Sequence, residues 1–474
     1  MTTRALQPAP DAAARGQFAG FAFLLAVATV FHEAVLGDWR PTHVTVTLAA
    51  VWVMLRPSSL TRFLVLVATQ LIVFVDDLPE VANHWLVLSI TNVTVLAYLA
   101  WAAITRRDWP ISGGQLYRRL APVLRLGVIL VYLFAALAKM NHGFMDEVNG
   151  CARVLADDVF AWTFTPPGMD QIAPVLAVAT IVIELSIPVA LIFRRTRLLA
   201  VFVGIGFHTM LAVAGHAPFS GFAFVFYWLF LPDDMPERLA RVRDRLLPLA
   251  ADLRSRARTW LRSPAGAATA VAAVALAAGV AGWAGPPSDL REFLAMVAFL
   301  AFAVVATALL VLAVWDPAPL RWRPDMFRLP HPVLLIVPLA LVANGLSPYL
   351  GLKTENSFTM YSNLRTEEPF WNHWFMPQEM QVFDMQDRPV RVIASSDERL
   401  QEAASDGMAM SRFAFYTETS RNPDDSVTYE LDGRLRDVAR IGSDPTLTDG
   451  PNPVLSKVLW FRDIPVADGS YCVR

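Results

Sequence analysis

The sequence predicts a mainly α fold class: a polytopic bundle of membrane helices with a small C-terminal domain, β-rich or mixed, outside the membrane. Three observations predict it. Hydrophobic residues make up 55% of the 474 and charged residues only 17%, well under the charged share of a soluble domain. Apolar runs approaching the roughly 17–25 residues that cross a bilayer recur through the first three quarters of the chain. From residue 346 the pattern changes: 20 Asp and Glu stand against 13 Lys and Arg, and short alternating segments replace the long apolar runs.

Residues 1–16 form a polar tail with Arg4 and Arg15. No small-residue cleavage site clearly follows the first apolar run, so that run is expected to remain as an uncleaved helix. Helices are expected near 17–37, 43–55, 59–75, 84–105, 117–139, 171–193, 197–215, 218–231, 265–284, 287–315 and 331–345. Several are short, and tilted, re-entrant or merged pieces put the spans at about nine to eleven, all in one domain over 17–345. The loops alternate in charge. One series carries Arg56 and Arg62, then Arg106, Arg107, Arg118 and Arg119, then "RRTR" at 194–197, the basic run 237–262, and "RWRPDMFR" at 321–328. The intervening loops carry "DDLPE", "MDEVNG" and "SDLRE". Eleven spans with a cytoplasmic amino terminus satisfy the positive-inside rule throughout. The 237–262 run then reads either as an amphipathic helix against anionic headgroups or as a solvated connecting loop.

The domain over 346–474 falls on the outer face of this topology. "RPVRVIASS", "RFAFYTET", "SVTYELDG" and "SKVLWFRDIP" read as strands by alternation and β-branched content. Cys151, after the fifth helix, and Cys472, near the carboxyl end, are the chain's two cysteines. Both lie on the oxidising side, which allows one disulfide between soluble domain and membrane body, or two unrelated thiols.

Charged groups inside a membrane are costly and usually mark function. The candidates are His32 and Glu33 in the first helix, His84 opening the fourth, Lys139 ending the fifth, Glu184 in the sixth and His208 in the seventh, with Asp76 and Asp77 in the loop before the fourth. Threaded in the assigned directions, they converge near one depth on the outer side. Lys139 stands out because only Lys353 and Lys457 share its type. Each residue also has a plain reading: a helix-end lysine snorkels to the interface, a lone intramembrane His bonds a neighbouring helix, and Glu184, shortly before Pro188, steadies a broken helix. The eight histidines form no His-x-x-His, His-x-x-x-His or His-Glu-x-x-His cluster, which argues against di-iron and zinc chemistry, and no metal is expected. Neither a Gly-x-Ser-x-Gly elbow nor a P-loop is present, and nothing in the charge pattern points to nucleic acid.

Four stretches carry a resemblance. "YLFAALAKMNHGFMDEVNG" resembles the lysine-bearing helix end of vitamin K-dependent γ-glutamyl carboxylase and its bacterial relatives, the horizontally transferred transmembrane (HTTM) proteins. "DDLPEVANHWLVLSIT" looks like that family's Asp…Asn-His segment, with Asn83 and His84 in its matching positions. "IELSIPVALIFRRTRLLAVFVGIGFHTML" is similar to its paired helices, and "LSPYLGLKTENSFTMYSNLRTE…NHWFMP" to its junction after the membrane domain. The resemblance spans most of residues 17–375. It implies that Lys139 is the base that deprotonates reduced vitamin K or a menaquinol-type quinol, with His84 assisting. Oxygen attack then gives an alkoxide that removes a γ-hydrogen from a Glu, and the carbanion adds CO₂. His208, Glu184, Asn141 and Asn83 are implied around the quinol. A free amine is needed, which burial favours, and a neighbouring imidazole can donate to an oxyanion. The chain differs in having a single lysine followed by "MNHGF", where the carboxylases have paired lysines before Leu-Asp, and a much smaller outer portion. The substrate is therefore left open.

The expectation is thus a carboxylase-like, quinol-epoxidising enzyme in a bacterial inner membrane. Its partners are the bilayer, a lipophilic quinol, and a protein or peptide substrate at the outer face. Two rival readings stand beside it: a non-catalytic lipid or quinone binder or assembly factor, and a proton-coupled transporter working through Glu184, His208 and Lys139.

Overall fold

The computed structural model describes residues 10–105, 109–161, 167–261, 290–367, 370–466 and 472. The membrane part holds α1 (Pro10–Val35), α2 (Pro41–Leu55), α3 (Leu60–Asp76), α4 (Asn83–Thr105), α5 (Gly113–Ala138), α6 (Cys151–Phe160), α7 (Met169–Ile192), α8 (Arg197–Leu211), α9 (Ala217–Trp228), α10 (Met235–Leu261), α11 (Leu290–Val314) and α12 (Ile336–Leu346). Among the described residues, six helical runs have the length and apolar content to cross a bilayer: most of α1, then α4, α5, α7, α8 and α9 counted as one run, and most of α11. The protein is an integral membrane protein. The expected span count also takes in shorter helices such as α2 and α12, and the helix expected at 265–284 lies outside the described residues.

Local chemistry sets the helix starts. Ser59 accepts from the Arg62 amide, Pro41 occupies the first turn of α2, and Ser112 with Gln115 forms a reciprocal capping box at α5. α1 is the hub, packing against α2, α5 and α9. Phe18 meets Phe63 edge-on at 5.2 Å, and Gly20 lies so close to the Trp228 ring that no side chain would fit. Inside the apolar core Asn92 donates to Gln70 (2.9 Å) and Gln70 to Thr29 (2.8 Å), so α1, α3 and α4 are tied by bonds that lipid cannot replace.

Residues 237–261 are helical, as one of the two expectations held: α10 is pinned by fully buried Arg238, bonded to Asp234 at 2.7 Å, and by Arg241 and Arg245 on Asp316 at 3.1 and 3.0 Å. A ten-residue helix, α6, was not expected after Cys151. α8 and α9 do not simply follow one another. The chain reverses through a wide turn at Ala212–His216, where Gly215 takes φ +91°, and Ser220 on α9 then donates to the His208 carbonyl on α8 (2.6 Å).

Beyond α12 a collar of turns over 347–367 and 370–389 sits on the helix ends, followed by a five-stranded antiparallel sheet in the order β4-β3-β1-β2-β5. Its strands are β1 (Val390–Ser395), β2 (Met408–Met410), β3 (Val427–Leu431), β4 (Arg434–Val438) and β5 (Ile464–Pro465). β3 and β4 form a tight hairpin because Asp432 and Gly433 both take positive φ, 53° and 70°, as a two-residue turn of this type requires. Two expected strands are corrected. "RFAFYTET" is helical, α14 (Arg412–Arg421), following α13 (Glu398–Ser405): Ser411 caps it through the Ala414 amide, and Phe415 and Thr419, four apart, are its buried face. "SKVLWFRDIP" begins as a helical turn, Leu455–Val458, and only Ile464–Pro465 pairs as a strand. The cysteines form a disulfide, with Cα atoms 4.8 Å apart, tying the carboxyl end to the first residue of α6.

Candidate functional site

The ends of α1, α3, α5 and α8 and the starts of α2, α4 and α9 meet under the collar and enclose two adjoining cavities. One is apolar, about 370 Å³, walled by α5, α6, α7, α8 and α9. Tyr132, Ala135 and Lys139 fall three and four residues apart, so one stripe of α5 faces it. Lys139, the residue closing α5, is 4% exposed. Its Nζ lies 3.1 Å from the Glu184 carboxylate and donates to the carbonyls of Ala135 (3.3 Å) and Met360 (3.4 Å). Tyr132 hydroxyl bonds His208 Nε2 at 2.5 Å and also the Tyr227 hydroxyl. His208 Nδ1 is buried with no protein partner among the described residues. Thr180, His216 and Tyr361 also line it, and most of the remaining wall is hydrocarbon, with Val131, Ala156, Val159 and Phe226 typical.

The second cavity is larger, about 940 Å³, and polar. His84 is here. Its Nε2 bonds His32 Nδ1 at 3.0 Å, and the His32 ring stacks on Trp85 at 4.2 Å. At the rim, His43 bonds Glu33 (2.8 Å), and Arg40 donates to Asp76 (2.9 Å), Asp77 (2.5 Å) and His43 (2.7 Å). His43, Asp76 and Asp77 present ligand atoms within 4.8 Å of one another, but the guanidinium of Arg40 already takes the place a cation would fill. Lys457 lines this cavity too, donating to the Leu78 carbonyl at 3.2 Å.

Lys139 and His84, expected in one cavity, therefore line two. Phe219 stands between the histidines of the two chambers, its ring centroid 5.8 Å from that of His84 and 5.0 Å from that of His208. The imidazoles sharing a cavity with Lys139 and Glu184 are those of His208 and His216. Asn141 and Asn83 act on the backbone. Asn141 donates to the carbonyls of Ala138 (2.7 Å) and Ser362 (2.6 Å) and accepts from the Phe144 amide (2.8 Å). Asn83 accepts from the Phe358 amide at 2.9 Å while lining the polar cavity.

Residues 353–363 roof both chambers and were not foreseen as buried. This run, "KTENSFTMYSN", has little hydrocarbon to announce a core position. It is inside because its polar groups are satisfied locally and by the helix ends: Asn344 and Lys353 both donate to the Asn356 carbonyl (2.7 and 3.4 Å), and Asn363 accepts from the Cys151 amide (2.6 Å). Burial pushes the Lys353 amine down to about 8 and raises neighbouring Glu355 above the usual carboxylate range. Tyr132, Tyr227, His216 and Tyr361 are the site residues that the sequence reading missed. Only Tyr132 carried a signal, two turns before Lys139 on the same helix face.

The fold and this site define an integral membrane protein with a buried amine–carboxylate pair in an apolar chamber. No family model, curated protein or solved structure matches the chain.

Proposed function

We propose that the protein is an integral membrane enzyme of the HTTM and vitamin K-dependent carboxylase type, acting on a lipophilic quinol held in the Lys139 cavity. The observation that carries this reading is a buried lysine amine, 3.1 Å from a carboxylate, in the wall of a largely apolar chamber of about 370 Å³. Such lining suits a ring with an isoprenoid tail, and the few polar groups suit its hydroxyls. A quinol supplies an acidic O–H and, in its anionic form, electrons to oxygen.

The chain's own part is proton handling. Lys139 acts as base once its proton has passed to Glu184 across their 3.1 Å contact, which leaves a free amine. After Lys139 takes the hydroxyl proton, the new ammonium is matched by the anion left on the quinol, and Glu184 stays neutral until it gives up its own proton. His208, fixed through Nε2 by Tyr132, has its Nδ1 left to hydrogen-bond a polar group of a bound quinol. His84, in the polar chamber, sits where a protein or peptide substrate approaches from the face of the C-terminal domain. The Arg-rich loops and the disulfide support a cytoplasmic amino terminus and an extracytoplasmic C-terminal domain in a bacterial inner membrane.

The test is epoxide formation by purified protein given reduced menaquinone or vitamin K and oxygen. Lys139→Ala is expected to lower the rate by about 10²–10⁴-fold, the range for loss of a general base, with the disulfide and melting behaviour showing that the variant is folded. No epoxide from the wild-type protein, with quinone still bound, would make this a quinone-binding protein instead.

A further inference from the structure

His216, Phe219, Met360 and Tyr361 line both chambers and so form the wall between them. Across that wall the Tyr361 hydroxyl and His216 Nδ1 are 2.9 Å apart, with ring centroids at 4.6 Å. Each partner stands on unusual backbone. His216 ends the wide turn between α8 and α9, directly after Gly215 at φ +91°. Tyr361 itself has φ 52°, in a loop where Asn356, Phe358 and Asn363 also take positive φ, 56°, 65° and 51°. A bulky residue holds such a conformation only when its surroundings impose it. On one side of the bond lies a polar chamber with charged side chains at its rim. On the other lies a buried ion pair in hydrocarbon, whose strength depends on keeping water out.

We propose that His216 and Tyr361 form a gate, hinged at Gly215, between the polar chamber and the Lys139 cavity. Closed, it keeps water from the Lys139–Glu184 pair. Open, it admits small water-borne reactants and protons from the polar side, while lipophilic molecules reach the same cavity from the bilayer. The gate gives two chambers of opposite character a controlled passage through the wall they share. It also places the carbonyl of Met360, which holds Lys139, on the moving loop.

The test is thiol accessibility of the full chain in lipid nanodiscs. Ala135→Cys puts a thiol in the apolar cavity one turn before Lys139, and Ala82→Cys puts one in the polar chamber. Each is reacted with a charged, membrane-impermeant methanethiosulfonate. The thiol at position 135 is expected to react far more slowly than that at 82. Tyr361→Phe, which removes only the hydroxyl, is expected to speed reaction at 135 about tenfold, the worth of one hydrogen bond to the closed state, and to leave 82 unchanged. Gly215→Ala is the second variant. Its methyl meets nothing within 4 Å, but φ +91° disfavours any side chain, so the closed turn is penalised and reaction at 135 speeds up as well. Equal reactivity at 135 and 82 with the native gate, or no change at 135 in the folded variants, overturns the proposal. If Tyr361→Phe does not fold, Gly215→Ala decides alone. The readout needs no quinol and no turnover, so its failure is distinguishable from failure of the Lys139 assay.

Discussion

Lys139 and Glu184 are 4% and 7% exposed, and at that depth each charge depends on the other. Removing one partner of a buried pair leaves an uncompensated charge, at a cost of about 3–5 kcal/mol, whereas replacing both by hydrocarbon is close to neutral. Lys139→Met and Glu184→Leu are each expected to lower the stability of the detergent-solubilised protein by about that amount, and the double variant to recover most of it. Thermal or denaturant unfolding of the four proteins checks this. Additive losses would mean that the two side chains do not act as a pair. Lys139 was legible as a residue because the chain uses lysine so sparingly. All three lysines turn out to gather at the two chambers, Lys353 on the roof loop and Lys457 at the polar cavity. Its partner was not legible. Depth along a helix follows from sequence, but the direction a side chain faces depends on how neighbouring helices are turned. His84 and Lys139 thus share a level and still open into different spaces.

At the scale of elements, α6 forms one wall of the apolar cavity. It supplies Ala152, Leu155, Ala156 and Val159 to the apolar cavity, and it is held at its first residue by the bond to Cys472 and by the Asn363 side chain. Cys151→Ser is expected to cost about 2–4 kcal/mol and to raise amide exchange in 151–160 more than in α5 or α7. Uniform exchange across all three would show that the disulfide does not brace that wall. Most elements could be read from periodicity: long apolar runs became α1, α4, α5, α7 and α11, and the "LDG" turn became the β3–β4 hairpin. The failures have physical causes. α6 is short and amphipathic beside much stronger apolar signals. α14 alternates like a strand, but the Ser411 cap and the Phe415–Thr419 spacing favour a helix. The roof loop is buried through hydrogen bonds, which hydropathy does not register.

At the scale of the whole molecule, two independent observations bear on the proposed orientation. Arg56, Arg118, Arg119, Arg194 and the α10 arginines belong to helix ends and loops away from Lys139, whereas the Lys139 end carries Asp76, Asp77, Glu80 and Asp146. Charge of this sign pattern favours the arginine end in the cytoplasm. The disulfide calls for an oxidising compartment around Cys151 and Cys472, and both lie at the Lys139 end. Charge acts during insertion and the disulfide forms afterwards, so their agreement is not one argument counted twice. A single thiol introduced at Ser405, exposed at the end of α13 in the C-terminal domain, is expected to react with a membrane-impermeant maleimide in intact spheroplasts. One at Ser58, exposed between α2 and α3, is expected to react only after lysis. The reverse pattern would put the disulfide in a reducing compartment and both chambers on the cytoplasmic face. The gate would then admit cytosolic solutes, and a substrate approaching from outside could not reach it.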